Sequence, residues 1–185
     1  MASKIETIIC GFIGDFKVGD NLVRNADALC RLSEANVKGL LNKLIVIQAG
    51  SITEAALDQI IYRAQNFNRE GVPNISEADR KAIEATTVER FNNILQTMQK
   101  YKILDGLGGG VYDELHKLRR YRNRVHIQID TDPKDAPRDE DGAFSTKVVK
   151  WSLDLCITVL KYLAATYPRP KGMERYAHAL SIPVD

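Results

Sequence analysis

Cysteine is scarce in this sequence, with three copies set far apart at Cys10, Cys30 and Cys156. A secreted disulfide framework uses an even set of closely spaced cysteines, and a structural zinc site uses C-x-x-C pairs. Neither pattern occurs in the chain. We therefore expect reduced thiols in the core of a cytoplasmic protein, with no metal and no cofactor bound through them.

Long uninterrupted apolar runs are also missing. The most apolar stretch, residues 40–61, is interrupted by polar residues that include Asn42, Lys43, Gln48, Glu54 and Asp58. A membrane-spanning helix needs about 20 consecutive apolar residues. The chain does not open with a basic segment followed by an apolar one, as a secretory leader would. We therefore expect neither secretion nor contact with a membrane.

The sequence also lacks a strong excess of either charge, because it has 26 basic and 24 acidic residues and a net charge of +2. Any role in binding nucleic acid must therefore rest on local clustering of charge. The remaining composition, 44% hydrophobic and 27% charged, is that of an ordinary globular protein. A chain of 185 residues fits one domain, residues 1–185, with a well-developed core.

A helical period runs through most of the chain and predicts an all-α bundle of five or six helices. No run shows the sustained alternation of a strand. After a Ser3-x-x-Glu6 capping box, apolar residues from Ile5 to Phe16 predict one amphipathic helix, and residues 20–32 predict another. The sequence thus divides into an added N-terminal helical hairpin, a core bundle and a loosely docked tail: residues 1–35, 36–166 and 167–185.

The core bundle begins with a long central helix, residues 36–68, for which we predict a kink near residues 50–51. Ser76 and Thr86 are candidate N-caps of a following helix that breaks in two. The helix that carries the basic segment described next begins after a glycine-rich loop. The other predicted segments are that loop (105–110), an exposed acidic connection (130–141) and the last helix (145–166).

A cluster of basic residues leads to a histidine in the second half of the chain. Five cations lie within eight positions, with Tyr121 among them, and His126 follows: Lys117, Arg119, Arg120, Arg122 and Arg124. Such a cluster attracts phosphates. Cations at the last turns of a helix also interact favourably with its unpaired carbonyls, so a solvated capping role is the alternative.

Helical geometry brings part of this cluster together. At 100° per residue, Arg119, Arg122 and His126 share one stripe, and Asn123 lies one turn from both Arg119 and His126. Arg122 also follows Leu118 by four residues, so it falls on the apolar stripe that should face a neighbouring helix. An unpaired guanidinium is costly to bury. We therefore expect Arg122 to face a cleft, a subunit interface or a bound phosphate.

His126 has the chemistry that RNA cleavage requires. An imidazole that titrates near neutral pH can take the proton from a ribose 2′-hydroxyl and later return one. Neighbouring arginines can stabilise the charge that develops on the phosphate. A structural histidine at a helix end is the alternative interpretation.

This segment resembles the signature of the HEPN superfamily, an Arg commonly followed by a polar residue such as Asn, with four to six residues in all between that Arg and a His at a helix end. Residues 115–126 look like the signature helix, and residues 44–57 look like the family's long helix, which often carries an acidic residue. The helix around Trp151 is similar to the one that completes the bundle. The resemblance covers residues 36–166.

The spacing departs from the family pattern, because only three residues separate Arg122 from His126. The usual gap selects Arg119 or Arg120, but Arg120 points about 120° away from His126 on an ideal helix. We therefore assign the catalytic role to Arg122, His126 and Asn123, with Arg119 in support. The RNA-binding set is Lys117, Arg120, Arg124 and Tyr121.

The resemblance implies a homodimer in which two motifs face each other and form a metal-independent site that cuts RNA and leaves a cyclic phosphate. It also implies a toxin–antitoxin or phage-defence context, with an antitoxin or regulatory protein as a further partner. The shortened spacing keeps open a catalytically inactive dimeric module that binds RNA or protein. Nucleotide binding, for example of ATP, at the same basic cleft is a third hypothesis.

Several other residues have two interpretations. Glu54 could orient His126 or an arginine, or it could be a solvated or helix-paired carboxylate. Tyr121 and Tyr112 could stack on RNA bases or pack in the core. We expect His116 and His178 to lie on the surface.

Overall fold

The computed structural model describes residues 4–66, 72, 74–86, 89–125 and 139–184. These residues form seven α-helices and a two-stranded sheet, together with the segments that connect them. Two short 3₁₀ turns, Asp105–Leu107 and Glu174–Tyr176, join them. In chain order the elements are β1 (Lys4–Cys10), α1 (Phe16–Glu34), α2 (Asn42–Asn66), α3 (Glu77–Glu84), α4 (Arg90–Lys100), α5 (Val111–Asn123), α6 (Glu140–Ala143), α7 (Thr146–Thr166) and β2 (His178–Val184).

Helix α2 is the centre of the bundle, and α1, α5 and α7 pack around it. Its side chains point into the core on several sides, and Ile45, Ile52 and Ile60 are completely buried. A helix that is apolar around most of its circumference is stable only when other elements enclose it. The prediction of a mostly helical fold is confirmed, and α7 ends at Thr166 as expected.

The two ends of the chain differ from the prediction, because β1 and β2 pair antiparallel, with Lys4 opposite Val184 and Cys10 opposite His178. The predicted absence of strands and the first helix of the N-terminal hairpin are therefore wrong, whereas the second predicted helix, residues 20–32, lies within α1. The apolar positions of residues 5–9 fit a helix as well as a strand. A partner strand that lies 174 residues away decides between them, as the contact of Thr7 with Ser181 shows.

The C-terminal segment is firmly packed, and the prediction of a loosely docked tail is also wrong. Leu180 and Ile182 of β2 are completely buried. His178, expected on the surface, packs against α1, where a Cβ on Gly19 would lie 2.2 Å from the His178 Nε2 atom. The missing side chain of Gly19 therefore allows β2 to lie close to α1.

The middle of the chain follows the prediction more closely. Ser76 caps α3, and the helical region breaks between α3 and α4 as expected. Thr86 does not cap α4, since its hydroxyl donates back to the Ala82 carbonyl. In the glycine-rich loop, Gly108 has a φ of +93°, which an L side chain rarely adopts. Most of the predicted acidic connection (130–141), namely residues 130–138, lies outside the described residues.

Burial also explains the cysteines and the apolar character of α2. All three cysteines are free and buried, and burial raises the pKa of Cys10 to about 12 and that of Cys156 to about 11. By length and composition alone α2 could cross a membrane, with a mean hydropathy of 1.3. However, 67% of that window is buried inside the bundle, as in the core helix of a soluble protein.

Candidate functional site

Helices α2 and α5 meet at Gly50. A Cβ on Gly50 would lie 3.0 Å from the Arg122 Cβ and 3.7 Å from the Leu118 Cδ1, so the two helices are in close contact there. The sequence predicts a kink at this position, whereas the structure gives Gly50 a packing role within one continuous helix. The stem of Arg122 therefore lies against α2, as its place on the apolar stripe indicates.

The guanidinium of Arg122 pairs with a carboxylate one turn further along α2. Its Nη2 lies 2.6 Å from the Glu54 Oε2. The Glu54 side chain is 12% exposed and that of Arg122 is 31% exposed. Glu54 is therefore paired with an arginine, as the first of its two interpretations expects, and is not a solvated carboxylate. Burial raises the pKa of Glu54, although Arg122 acts in the opposite direction.

Asn123 supplies a second contact to the same guanidinium, because its Oδ1 accepts a hydrogen bond of 3.2 Å from the Arg122 Nη1. A guanidinium has five N–H donors, and these two contacts leave others directed away from Glu54 and Asn123. Arg122 is thus held between two elements while part of it remains open to solvent. This geometry suits the binding of an oxyanion.

The described part of the motif stops just before the histidine. Helix α5 ends at Asn123, and Arg124 is its C-cap. His126 lies outside the described residues, so the structure describes only the two arginines of the expected stripe through Arg119, Arg122 and His126. The basic motif does occupy the last turns of a helix, as the sequence predicts.

Two cations of the predicted RNA-binding set rest on aromatic rings. The Lys117 ammonium lies 4.6 Å from the centre of the Trp151 ring, and the Arg124 guanidinium lies 5.6 Å from that of Phe144. Cation–π contacts of this kind hold a side chain against the protein surface. His116, Arg119 and Arg120 are half-buried on the remaining surface of α5.

Tyr121 requires a correction, because its ring is only 3% exposed and cannot stack on a base. It lies 5.6 Å from the Phe144 ring and 5.7 Å from the Trp151 ring. Tyr112 is also in the core, where its hydroxyl contacts Asp105 and donates to the Met98 carbonyl. Tyr121 follows Leu118 by three residues, so the apolar stripe of α5 extends to it.

Two residues of the site were assigned no role there by the sequence analysis. Gly50 allows the close approach of α5, and its position four residues before Glu54, on the same face of α2, is the signal that could have identified it. Trp151 contacts Lys117 and donates from its indole N–H to Glu114. Nothing in the sequence indicates that α7 places Trp151 beside α5.

No cluster of three or more metal-ligating side chains occurs among the residues whose structure is described. In the comparisons with known proteins, no family, no curated protein and no solved structure matches the chain.

Proposed function

We propose that the protein is a cytoplasmic, metal-independent endoribonuclease of the HEPN type that acts as a homodimer. The observation that carries this proposal is the fixed guanidinium of Arg122, held by Glu54 and Asn123 at the end of α5. Only three residues separate it from His126 in the chain. A positioned cation and an imidazole, a side chain whose ordinary pKa is near neutral, together suit phosphoryl transfer.

In the proposed reaction His126 takes the proton of a ribose 2′-hydroxyl, and the 2′-oxygen attacks the adjacent phosphorus. The bond from phosphorus to the 5′-oxygen breaks, and that oxygen receives the proton that His126 returns. The products are a 2′,3′-cyclic phosphate and a 5′-hydroxyl. Arg122 stabilises the charge on the phosphate oxygens, with Arg119 in support, while Glu54 is a positioning residue that holds the guanidinium.

An exposed apolar patch beside the motif supports the homodimer. Large apolar side chains near the start of α2 and the end of α5 are exposed: Val37 (68%), Leu40 (85%), Leu44 (48%) and Val125 (50%). These two ends meet at Phe144, whose carbonyl accepts from Asn42 and whose ring lies under Arg124. Burial of this patch between two copies would bring their two motifs close together.

The dimer can be tested separately from cleavage. The double substitution Leu40→Asp and Leu44→Asp should convert a dimer into a monomer in sedimentation velocity and abolish cleavage. Ile9→Asp is the matched control, because Ile9 is 61% exposed on the sheet and lies outside this patch. A wild-type protein that sediments as a monomer at micromolar concentration would contradict the homodimer.

Cleavage is tested by incubating purified protein with a mixed RNA in excess chelator. Wild-type protein should cut the RNA, while His126→Ala and Arg122→Ala should not. Arg24→Ala, an exposed arginine on α1, is the control and should cut normally. If a toxin or defence role applies, an antitoxin or regulatory partner should suppress this activity.

A second function is favoured by the Arg122–Glu54 pair itself, since a guanidinium already matched by a carboxylate can serve packing alone. The alternative is a catalytically inactive dimeric module that binds RNA or protein. It predicts binding that does not change in His126→Ala and no cleavage by wild-type protein. Cleavage that depends on His126 would exclude it.

A further inference from the structure

The cations of α5 divide into two groups in the structure. The first group is already engaged by other parts of the protein. Lys117 rests on Trp151, Arg124 rests on Phe144, and Arg122 pairs with Glu54. Side chains held in this way have less freedom to follow a ligand.

The second group is His116, Arg119 and Arg120, which are neighbours on the helix at i, i+3 and i+4. Their charges act on one another: the positive charges of Arg119 and Arg120 add to burial in lowering the pKa of His116. Burial also lowers the pKa of Arg119, and Arg120 contributes to this. Three cationic or ionisable side chains are therefore crowded on one half-buried surface.

Within the part of the chain that the structure describes, His116 and Arg119 make no hydrogen bond or ion pair. The Arg119 Nε is moreover buried without a hydrogen-bond partner. Asp113 and Glu89 act on His116 and Arg119 only through their electrostatic fields. Arg120 has a contact of its own within the protein, so it contributes mainly charge.

A solvated surface does not explain this arrangement well. A solvated arginine keeps its donors in water, whereas the Nε of Arg119 is shut off from water. Crowding of like charges and a buried unpaired donor both cost stability. An anion placed over His116 and Arg119 would offset the crowding of like charges, and the remaining N–H groups of the Arg119 guanidinium could donate to it.

The position of the group indicates which anion. His116 precedes Asn123 by seven residues, so it lies on the same face of α5 and about 10 Å from the end of the helix. A path along α5 therefore leads from this group to the guanidinium of Arg122. A flexible single strand with a phosphate at every nucleotide can contact both places at once.

We propose that His116 and Arg119 form a phosphate-binding subsite for the backbone of single-stranded RNA and hold nucleotides next to the one that is cut. The inference rests on the proposed function, since it names a substrate contact of the same enzyme. It adds His116, which the catalytic motif does not include. It also places the path of the RNA strand along α5.

The test measures binding of a fluorescent single-stranded RNA that carries 2′-O-methyl groups throughout and cannot be cut. Arg119→Ala should weaken binding about tenfold, as expected for a lost charge-assisted hydrogen bond. It should also reduce the slope of log affinity against log salt by about 0.7, the value for one phosphate contact on a single strand. His116→Ala should weaken binding with less change in slope, because the imidazole is mostly neutral at pH 7.

Arg24→Ala is the control and should bind like wild type, and Lys117→Ala should lose less affinity than Arg119→Ala. Equal losses in Lys117→Ala and Arg119→Ala would mean a diffuse positive field and would overturn the subsite. Unchanged affinity in Arg119→Ala, or no RNA binding by wild type, would also overturn it. Because the probe cannot be cut, Arg119-dependent binding without cleavage of ordinary RNA would reject the proposed nuclease and leave the subsite standing.

Discussion

The two partners of the Arg122–Glu54 pair should respond very differently to substitution. The Glu54 side chain is 12% exposed, whereas that of Arg122 is 31% exposed. If Glu54 becomes Gln, the guanidinium keeps the Asn123 contact and can be hydrated. If Arg122 becomes Met, a carboxylate remains in a site with little access to water. Removal of the cation should therefore cost much more stability than removal of the anion.

The loss of folding stability in each variant can be estimated from the cost of leaving a buried charge unpaired. Loss of one partner of a buried pair costs about 3–5 kcal/mol when the other charge is stranded, and partial exposure places Arg122→Met near the lower end, at about 3 kcal/mol. Burial already raises the pKa of Glu54 despite the presence of Arg122, so its ionised form is not favoured by the fold. Glu54→Gln should therefore change stability by less than about 1 kcal/mol. It should nevertheless reduce cleavage strongly, because Arg122 loses its anchor.

Urea denaturation at pH 7, followed by circular dichroism, measures both effects. The pH dependence gives a second test, because the folded pKa of Glu54 lies above its ordinary value of 4.5. The folded state then binds the proton more tightly, so stability rises as pH falls through the raised pKa and levels off below about 4.5. This rise should be larger in Arg122→Met than in wild type. Equal losses in the two variants, or a larger loss in Glu54→Gln, would refute the reasoning.

Three further predictions concern other parts of the fold. Gly50→Ala should lower stability by up to about 2 kcal/mol and reduce cleavage, because the steric cost against Arg122 exceeds the gain in helix propensity; a more stable, fully active variant would contradict the close contact. Contacts with Lys100, Ser76 and Tyr101 lower the pKa of Asp79 to about 2, so wild type should lose stability as pH falls from about 4 to 2. In Asp79→Asn this part of the loss of folding stability should be absent. A variant whose stability depends on pH as that of wild type does would refute the prediction. Cys10 and Cys156 should resist a thiol reagent until urea unfolds the protein; rapid labelling in the native state would contradict their burial.

The sequence predicts the helical region well because its apolar period is long and consistent there. It also identifies Arg122 as a residue in need of a partner, since a charge on an apolar stripe conflicts with burial. The sequence names Glu54 as a candidate partner but leaves a solvated or helix-paired carboxylate as the alternative. The choice depends on how α2 and α5 cross, which Gly50 sets through a close approach that no local pattern reveals.

The sheet could not be predicted for a different reason. Ile5, Ile8 and Ile9 fit the spacing of a helix, and the local sequence carries no stronger strand signal. Only pairing with residues at the other end of the chain, where Ile182 is completely buried, makes the strand the stable choice. Tyr121 shows the same limitation, because its burial depends on the position of Phe144 and of α7.

Analysis of the RNA ends after incubation in chelator tests the central proposal most directly. Wild-type protein should leave 2′,3′-cyclic phosphate and 5′-hydroxyl ends, and His126→Ala should leave the RNA intact. Arg24→Ala should give the same ends as wild type. Intact RNA with wild-type protein across varied substrates, or cleavage that persists in His126→Ala, would contradict the account.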